Sequence, residues 1–179
     1  TVIVAADAVQ AGAWVPLVAE YDGPVYLRLN RSATIPVHEA GSPLEMGRGI
    51  MRRPGHDLTI VATGSMVGRS MAAAERLAGQ GVDARVIEIH TIKPIDADIL
   101  NQAAAETGAI VTAEEHSVIG GLGGAVAEVL CEGRPVPAER VGICDKFMRT
   151  GMDPESLADA CGLAVEDVMA AARRVLQRK

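Results

Sequence analysis

Aromatic side chains are almost missing from this 179-residue chain: one Trp, two Tyr and one Phe make up 2% of it. An all-β sandwich would want more of them. The core must therefore be assembled from Ala, Val, Ile and Leu, a composition that suits parallel strands covered by helices. Cysteine is scarce as well. Cys131, Cys144 and Cys161 are odd in number and too widely spaced for a CxxC pair, which argues against a thiolate metal or redox site and for a reduced, cytoplasmic protein. No apolar run approaches the roughly 20 residues of a membrane span, and no basic stretch with an apolar core opens the chain. No segment gathers Lys and Arg, and the net charge is -6, so a nucleic-acid or acidic-membrane partner is disfavoured. A small anionic metabolite needs only one or two local arginines and stays open. The chain starts at Thr1 inside what reads as a strand already in progress, so an upstream segment is expected in the full gene product.

What the chain does have is 49% hydrophobic residues, enough to bury a core of domain size. "TVIVAA" is a short strand, followed by a helical stretch from about Asp7 to Tyr21 in which Val9, Ala13 and Leu17 recur at helical spacing. Asp22-Gly23-Pro24 ends it. "VYLRLNR" alternates as a strand does and closes a β-α-β unit near residue 33. Residues 36–56 turn to Pro, Gly, His and charge without a period and read as a linker. Strand "LTIVATG", a helix over Met66 to Ala78, strand "ARVIEIH", a helix opened by Pro94 and Asp96 and ended by Gly108, strand "AIVTAEE", a helix to about Cys131 and strand "RVGICD" then alternate. This order predicts an α/β fold with an open, mostly parallel sheet and helices on both faces. From Asp153 a helical hairpin follows, capped by Asp153 and broken at Gly162, with Val168, Met169, Ala172, Val175 and Leu176 inward. Its five acidic residues against four basic ones suit packing better than DNA.

Three constellations merit a chemical reading. "EEHSVIGGLGG" carries Glu114, Glu115 and His116 ahead of Gly120, Gly121, Gly123 and Gly124. Gly121-x-Gly123 with Asp145 after the next strand gives a degenerate dinucleotide fingerprint, since Val126 stands where a third glycine belongs and "EHSVI" separates strand from turn. Against this stands a close backbone approach between helix and neighbour, which small residues permit. His116 with a flanking glutamate suits a base and its orienting acid, although strand alternation lets only one carboxylate share its face. His38, His56 and His90 lack an i, i+4 partner, so metal binding is disfavoured and they read as surface or hinge histidines. Arg28 and Arg31 lie toward the C-terminal end of a parallel-type strand, where open α/β sheets place ligands, and a guanidinium fork suits phosphate or carboxylate. Three residues apart, they face opposite ways; Arg31, at the terminus, is the better candidate, with Glu20 or Glu39 as alternative ion-pair partners. Arg52 and Arg53 read as a solvated pair.

"TVIVAADAVQA", "GPVYLRLNR", "TGS" opening a helix, "HTIKPID" and "EEHSVIGGLGG", in this order, resemble the C-terminal part of a transketolase, and most closely the C-terminal subunit of a split transketolase. The resemblance covers essentially the whole chain. It implies that residues 1–35 are the end of a pyrimidine-binding domain and residues 57–179 the Rossmann-like C-terminal domain. It further implies a thiamine diphosphate-dependent transfer of a two-carbon ketol unit between sugar phosphates, as in the pentose phosphate pathway. In that family the arginine matching Arg31 contacts the substrate phosphate. "RLNRSA" departs from the Gln-Asn that usually follows it, and from the motifs of the related deoxyxylulose phosphate synthases and 2-oxo-acid dehydrogenase β subunits. The glutamate and histidines of the family's active site lie upstream of "GPVY", and the Gly-Asp-Gly motif for the diphosphate and its Mg ion is absent. The resemblance therefore implies no catalytic residue in this chain, no cofactor bound by it alone, and a homodimer or an N-terminal subunit as partner. Gly120, Gly121, Gly123, Gly124 and His116 would then serve contact between chains or domains.

Overall fold

The computed structural model describes residues 1–147, 150–151 and 153–179. Among them eight strands and six helices appear. Strand β1 (Val2–Val4), helix α1 (Ala8–Glu20) and strand β2 (Tyr26–Arg28) form the expected β-α-β unit, with β1 and β2 parallel. The main sheet contains β3 (Ile50–Arg53), β4 (Leu58–Ala62), β5 (Ala84–Glu88), β7 (Ile110–Ser117) and β8 (Ala138–Ile143) in the order β3-β5-β4-β7-β8. All its pairs are parallel except the edge strand β3, which runs antiparallel to β5. The α/β architecture read from the alternation of elements is thus the one observed.

Strand alternation distributes the core between two faces. Leu58, Ile60 and Ala62 of β4 meet α2 (Met66–Ala78) and α6 (Val165–Leu176), burying Val67, Ala74, Leu77, Val168, Ala172 and Val175. Val61 faces the other way with Ile87 and Ile110, against Leu100 of α3 (Ala97–Thr107) and Val126 and Leu130 of α4 (Leu122–Glu132). Leu176 is only partly buried. The chain ends in α5 (Pro154–Ala160) and α6, with Asp153 accepting the Ser156 amide as the N-cap. No helix among the described residues is long and apolar enough to cross a membrane.

Two local expectations are corrected, and one strand is added. The buried face of α1 is Gln10 and Trp14, whereas Val9 and Leu17 are 38% and 40% exposed. Trp14 packs on Ile3 and Ala5 and meets the His90 ring edge-on at 4.9 Å; an amphipathic pattern counted on Val and Leu alone overlooks a helix whose inward residues are a tryptophan and a hydrogen-bonded glutamine. The stretch read as a featureless linker carries β3, a four-residue edge strand held by pairing to β5. A further strand, β6 (Thr91–Lys93), pairs antiparallel with β1 and completes a three-stranded sheet β2-β1-β6. The N-terminal unit is thereby stitched to the segment that follows β5.

Candidate functional site

The sheet has its topological switch at β4, with β5 on one side and β7 on the other, the position where open parallel sheets hold ligands beyond their C-terminal ends. "TGS" leaves β4 here. Gly64 has φ +57, and a Cβ on it would stand 3.0 Å from Val4 Cγ1, so the turn into α2 needs glycine. Glu115 reaches over from β7: its Oε2 accepts from Ser65 Oγ and from Asn30 Nδ2 at 3.2 Å. Arg28, half-buried, lines the small cleft between Asn30, Thr63, Ser65 and Glu115. At about 10 Å³ that cleft admits a single water.

A wider cleft of about 430 Å³ opens beside it, lined by Asn30, Ser32, Ser65, Arg69, Arg76 and Glu115 among others. Its two arginines are already neutralised, Arg69 by Asp159 and Arg76 by Glu166. Arg31 is exposed beyond the end of β2. Among the described residues it forms no ion pair, with Glu20, Glu39 or any other carboxylate. Arg28 and Arg31 are therefore not brought into one cleft; the first faces the sheet switch and the second faces solvent.

The glycine segment is answered by Glu114. This carboxylate, 2% exposed, accepts the amides of Leu122 at 2.7 Å and Gly123 at 2.8 Å, and so occupies the N-terminus of α4 that a phosphate would need. A Cβ on Gly121 would stand 1.9 Å from Glu114 Oε2, and one on Gly123 would stand 2.8 Å from Arg140 Cδ and 2.9 Å from Thr112 Oγ1. The close approach at these two glycines is made inside the chain. Gly120 and Gly124 have nothing within 4 Å of an added Cβ and are the open pair. His116 is exposed, its Nδ1 at 3.0 Å from Ser117 O and 4.0 Å from Glu114 Oε2; alternation does put Glu114 and not Glu115 on its side. Asp145 is exposed.

Sequence reasoning missed a buried polar cluster. His38 and His90, read as surface or hinge residues, are buried, while His56 is exposed. His38 lies between Asp7 and Glu88, each 3.1 Å away. Nothing in the spacing of 7, 38 and 88 links them, because three different elements bring them together. Burial acts first to raise the Asp7 pKa, but the amides of Gln10, Val37 and His38, and then the His38 ring, outweigh it and hold the carboxyl below its ordinary value. His90 is pushed below the ordinary histidine value, mainly by burial. Arg52 and Arg53 are not a free solvated pair: Arg52 donates to Val37 O and Arg53 to Asp83 at 3.0 Å.

An α/β domain with a switch-point cleft, joined to a three-stranded β-α-β unit, defines the class. The family model for the transketolase C-terminal domain matches residues 47–168, and the chain belongs to that family. It is 43% identical over its full length to the 6-deoxy-6-sulfo-D-fructose transketolase subunit SqwH of Clostridium sp. strain MSTE9, covering 55% of that protein. It is 37% identical over 178 residues to an apulose-4-phosphate transketolase component of Phocaeicola vulgatus, of which it covers 56%. The 1-deoxy-D-xylulose-5-phosphate synthase of Heliobacterium modesticaldum is 38% identical over 159 residues, and the chain covers 24% of it. A solved split-gene transketolase, described as an inactive beta4 tetramer, superposes with a TM-score of 0.92 at 46% identity over 99% of this chain and 57% of that one. The chain thus spans about half the length of the split-subunit relatives it matches.

The transketolase family uses thiamine diphosphate. The residues here do not fit its diphosphate and metal. The N-termini of α1, α2 and α4 each face a carboxylate of the chain itself, Asp7, Glu115 and Glu114. Among the described residues no three His, Cys, Asp or Glu side chains are grouped to hold a metal ion. No chemical step through the cofactor is assigned to these residues.

Proposed function

We propose that the chain is the C-terminal component of a transketolase that moves a two-carbon ketol unit between sugars ending in an anionic group. On this reading it acts in a reduced, cytoplasmic compartment and only with an N-terminal subunit that holds thiamine diphosphate and a divalent metal. Residues 1–35 supply the end of the pyrimidine-binding domain, 36–56 cross over, and 57–179 form the C-terminal domain. The observation that carries the reading is a match over the whole of this chain to about half of split transketolase subunits, combined with an arginine beyond the end of β2, Arg31, that has no carboxylate partner among the described residues. The synthase relatives support a thiamine enzyme in general, but there the chain accounts for only a quarter of the protein.

In this arrangement the chain binds and orients substrate and leaves the bond-making to the cofactor. Arg31 holds the terminal phosphate or sulfonate through charge-assisted hydrogen bonds, and Arg28 adds positive potential at the C-terminal end of β2. Gly120, Gly124 and His116 stay open for contact with a second copy or the N-terminal subunit. The test is Arg31→Ala in the enzyme assembled with its N-terminal subunit. Loss of one such charged contact, about 1.5 to 3 kcal/mol, is expected to lower kcat/KM for the anionic sugar roughly 10- to 100-fold. An uncharged analogue should change little. Equal losses for both sugars would remove the anion from Arg31.

A further inference from the structure

A buried polar cluster lies where α1, the segment after β2, β3 and β5 meet. Side chains of His38, Asp7 and Glu88 are 1%, 3% and 0% exposed. Asp7 Oδ2 accepts the amides of Val37 at 2.7 Å and His38 at 2.9 Å and faces His38 Nδ1 at 3.1 Å, while Oδ1 takes the Gln10 amide at 2.9 Å. Glu88 Oε1 accepts Gln10 Nε2 at 2.5 Å. Glu88 Oε2 faces His38 Nε2 at 3.1 Å. The other charged group close to it is Arg52 of β3, whose Nε is 3.9 Å from Glu88 Oε2 and whose guanidinium donates to Val37 O.

Two carboxylates at 3.1 Å, on opposite sides of the ring, favour its charged state. A neutral imidazole carries one N–H and serves Asp7 or Glu88 but not both. With its proton on Nδ1, the ring turns an acceptor toward Gln10 Nε2 at 3.2 Å and leaves Glu88 Oε2 a buried carboxylate oxygen without a donor, an arrangement the interior penalises. The imidazolium places a positive charge 3.1 Å from each carboxylate, an electrostatic gain that outweighs the second N–H it turns toward Gln10 Nε2.

We propose that protonated His38 is a positioning residue, latching residues 29–38, and with them Arg31, onto α1 and β5, so that loss of its proton loosens the segment. The Arg31 consequence rests on the proposed function; the latch itself does not. Burial alone would lower the His38 pKa, but the hydrogen bond and charge of Glu88, and then those of Asp7, outweigh it and hold the ring above the ordinary 6.5. His90, two residues beyond Glu88, repels the cation only weakly because its own burial keeps it neutral. The latch is therefore closed at and below pH 6.5 and opens as pH rises through the raised pKa.

Long-range 1H–15N NMR of the full chain reads both ring nitrogens directly. Both are expected to be protonated at pH 6, and deprotonation at higher pH is expected to speed amide exchange at Val37 and His38 at least tenfold beyond the base-catalysed rise seen in β4. A His38 ring already neutral at pH 6, or exchange indifferent to its titration, overturns the latch. Glu88→Gln should shift the midpoint of both signals to lower pH together; an unmoved midpoint counts against it equally. The wild-type titration decides the matter even where a variant fails to fold. In the assembled enzyme, His38→Gln should raise KM for an anionic sugar more than it lowers kcat, and wild-type KM should rise over the pH range in which the ring titrates; the reverse pattern in either overturns the link to Arg31. An Arg31→Ala enzyme that keeps its preference for anionic sugar overturns the functional reading instead, so the two failures are read separately.

Discussion

Glu114 sends both carboxylate oxygens into the first turn of α4, and the consequence for the flanking glycines differs from one position to the next. At Gly121 an added methyl would collide with that carboxylate, which is fixed by two amides and cannot swing away. Gly121→Ala is expected to destabilise the chain by about 1 to 3 kcal/mol, the usual cost of overpacking. At Gly124, inside α4 with nothing within 4 Å, alanine is expected to leave stability unchanged or raise it by up to about 1 kcal/mol. Urea midpoints of the two variants test both statements, and a destabilised Gly124→Ala would show that this open position is already covered by another copy. The need for small residues here was legible in "GGLGG"; their partner was not. A buried glutamate that caps a later helix looks, in sequence, the same as one poised for acid–base work, and only the 8-residue return from Glu114 to Leu122 separates the two.

At the scale of elements, those with a pattern of their own were legible and two short strands were not. The four parallel strands of the main sheet and helices α2, α3, α4 and α6 carry their own periodicity and caps, such as Asp96 accepting the Ile99 amide and Gly108 in the left-handed region at φ 65. Strands β3 and β6, four and three residues long, have no such signal because they are defined by the strands they pair with. Helix α1 shows the same limit. Its existence was clear, but its inward face depends on the lone Trp and on Gln10, whose amide is satisfied by Ala6 and Glu88. Trp14→Ala is therefore expected to cost about 3 to 5 kcal/mol and to loosen the β2-β1-β6 sheet first, whereas Val15→Lys, at a position 58% exposed, should be nearly neutral in the isolated chain. Circular dichroism melts of both variants check the contrast. If Val15→Lys blocks assembly with the N-terminal subunit without changing the melt, the outward face of α1 belongs to that contact.

For the molecule as a whole, the layered α/β plan follows from composition and alternation, while the join between its two sheets rests on residues that no local pattern connects. That join contains β6 against β1, Trp14 against His90, and His38 between Asp7 and Glu88. Two buried histidines at one junction with opposite shifts make a pH dependence with two limbs. His90 has its pKa depressed below 6.5, so its contribution is present above 6.5 and is lost as pH falls through the depressed value. His38 has its pKa raised, so its contribution is complete below 6.5 and is lost as pH rises through the raised value. Urea unfolding between pH 5 and about 9 should accordingly give a maximum in the neutral range, falling on both sides. His90→Gln is expected to flatten the acid limb and His38→Gln the alkaline one, each leaving the other slope in place. Loss of both limbs in either variant would mean that the two rings titrate as one unit. The carboxylates between them, Glu88 above all, would then be what sets the stability of the junction.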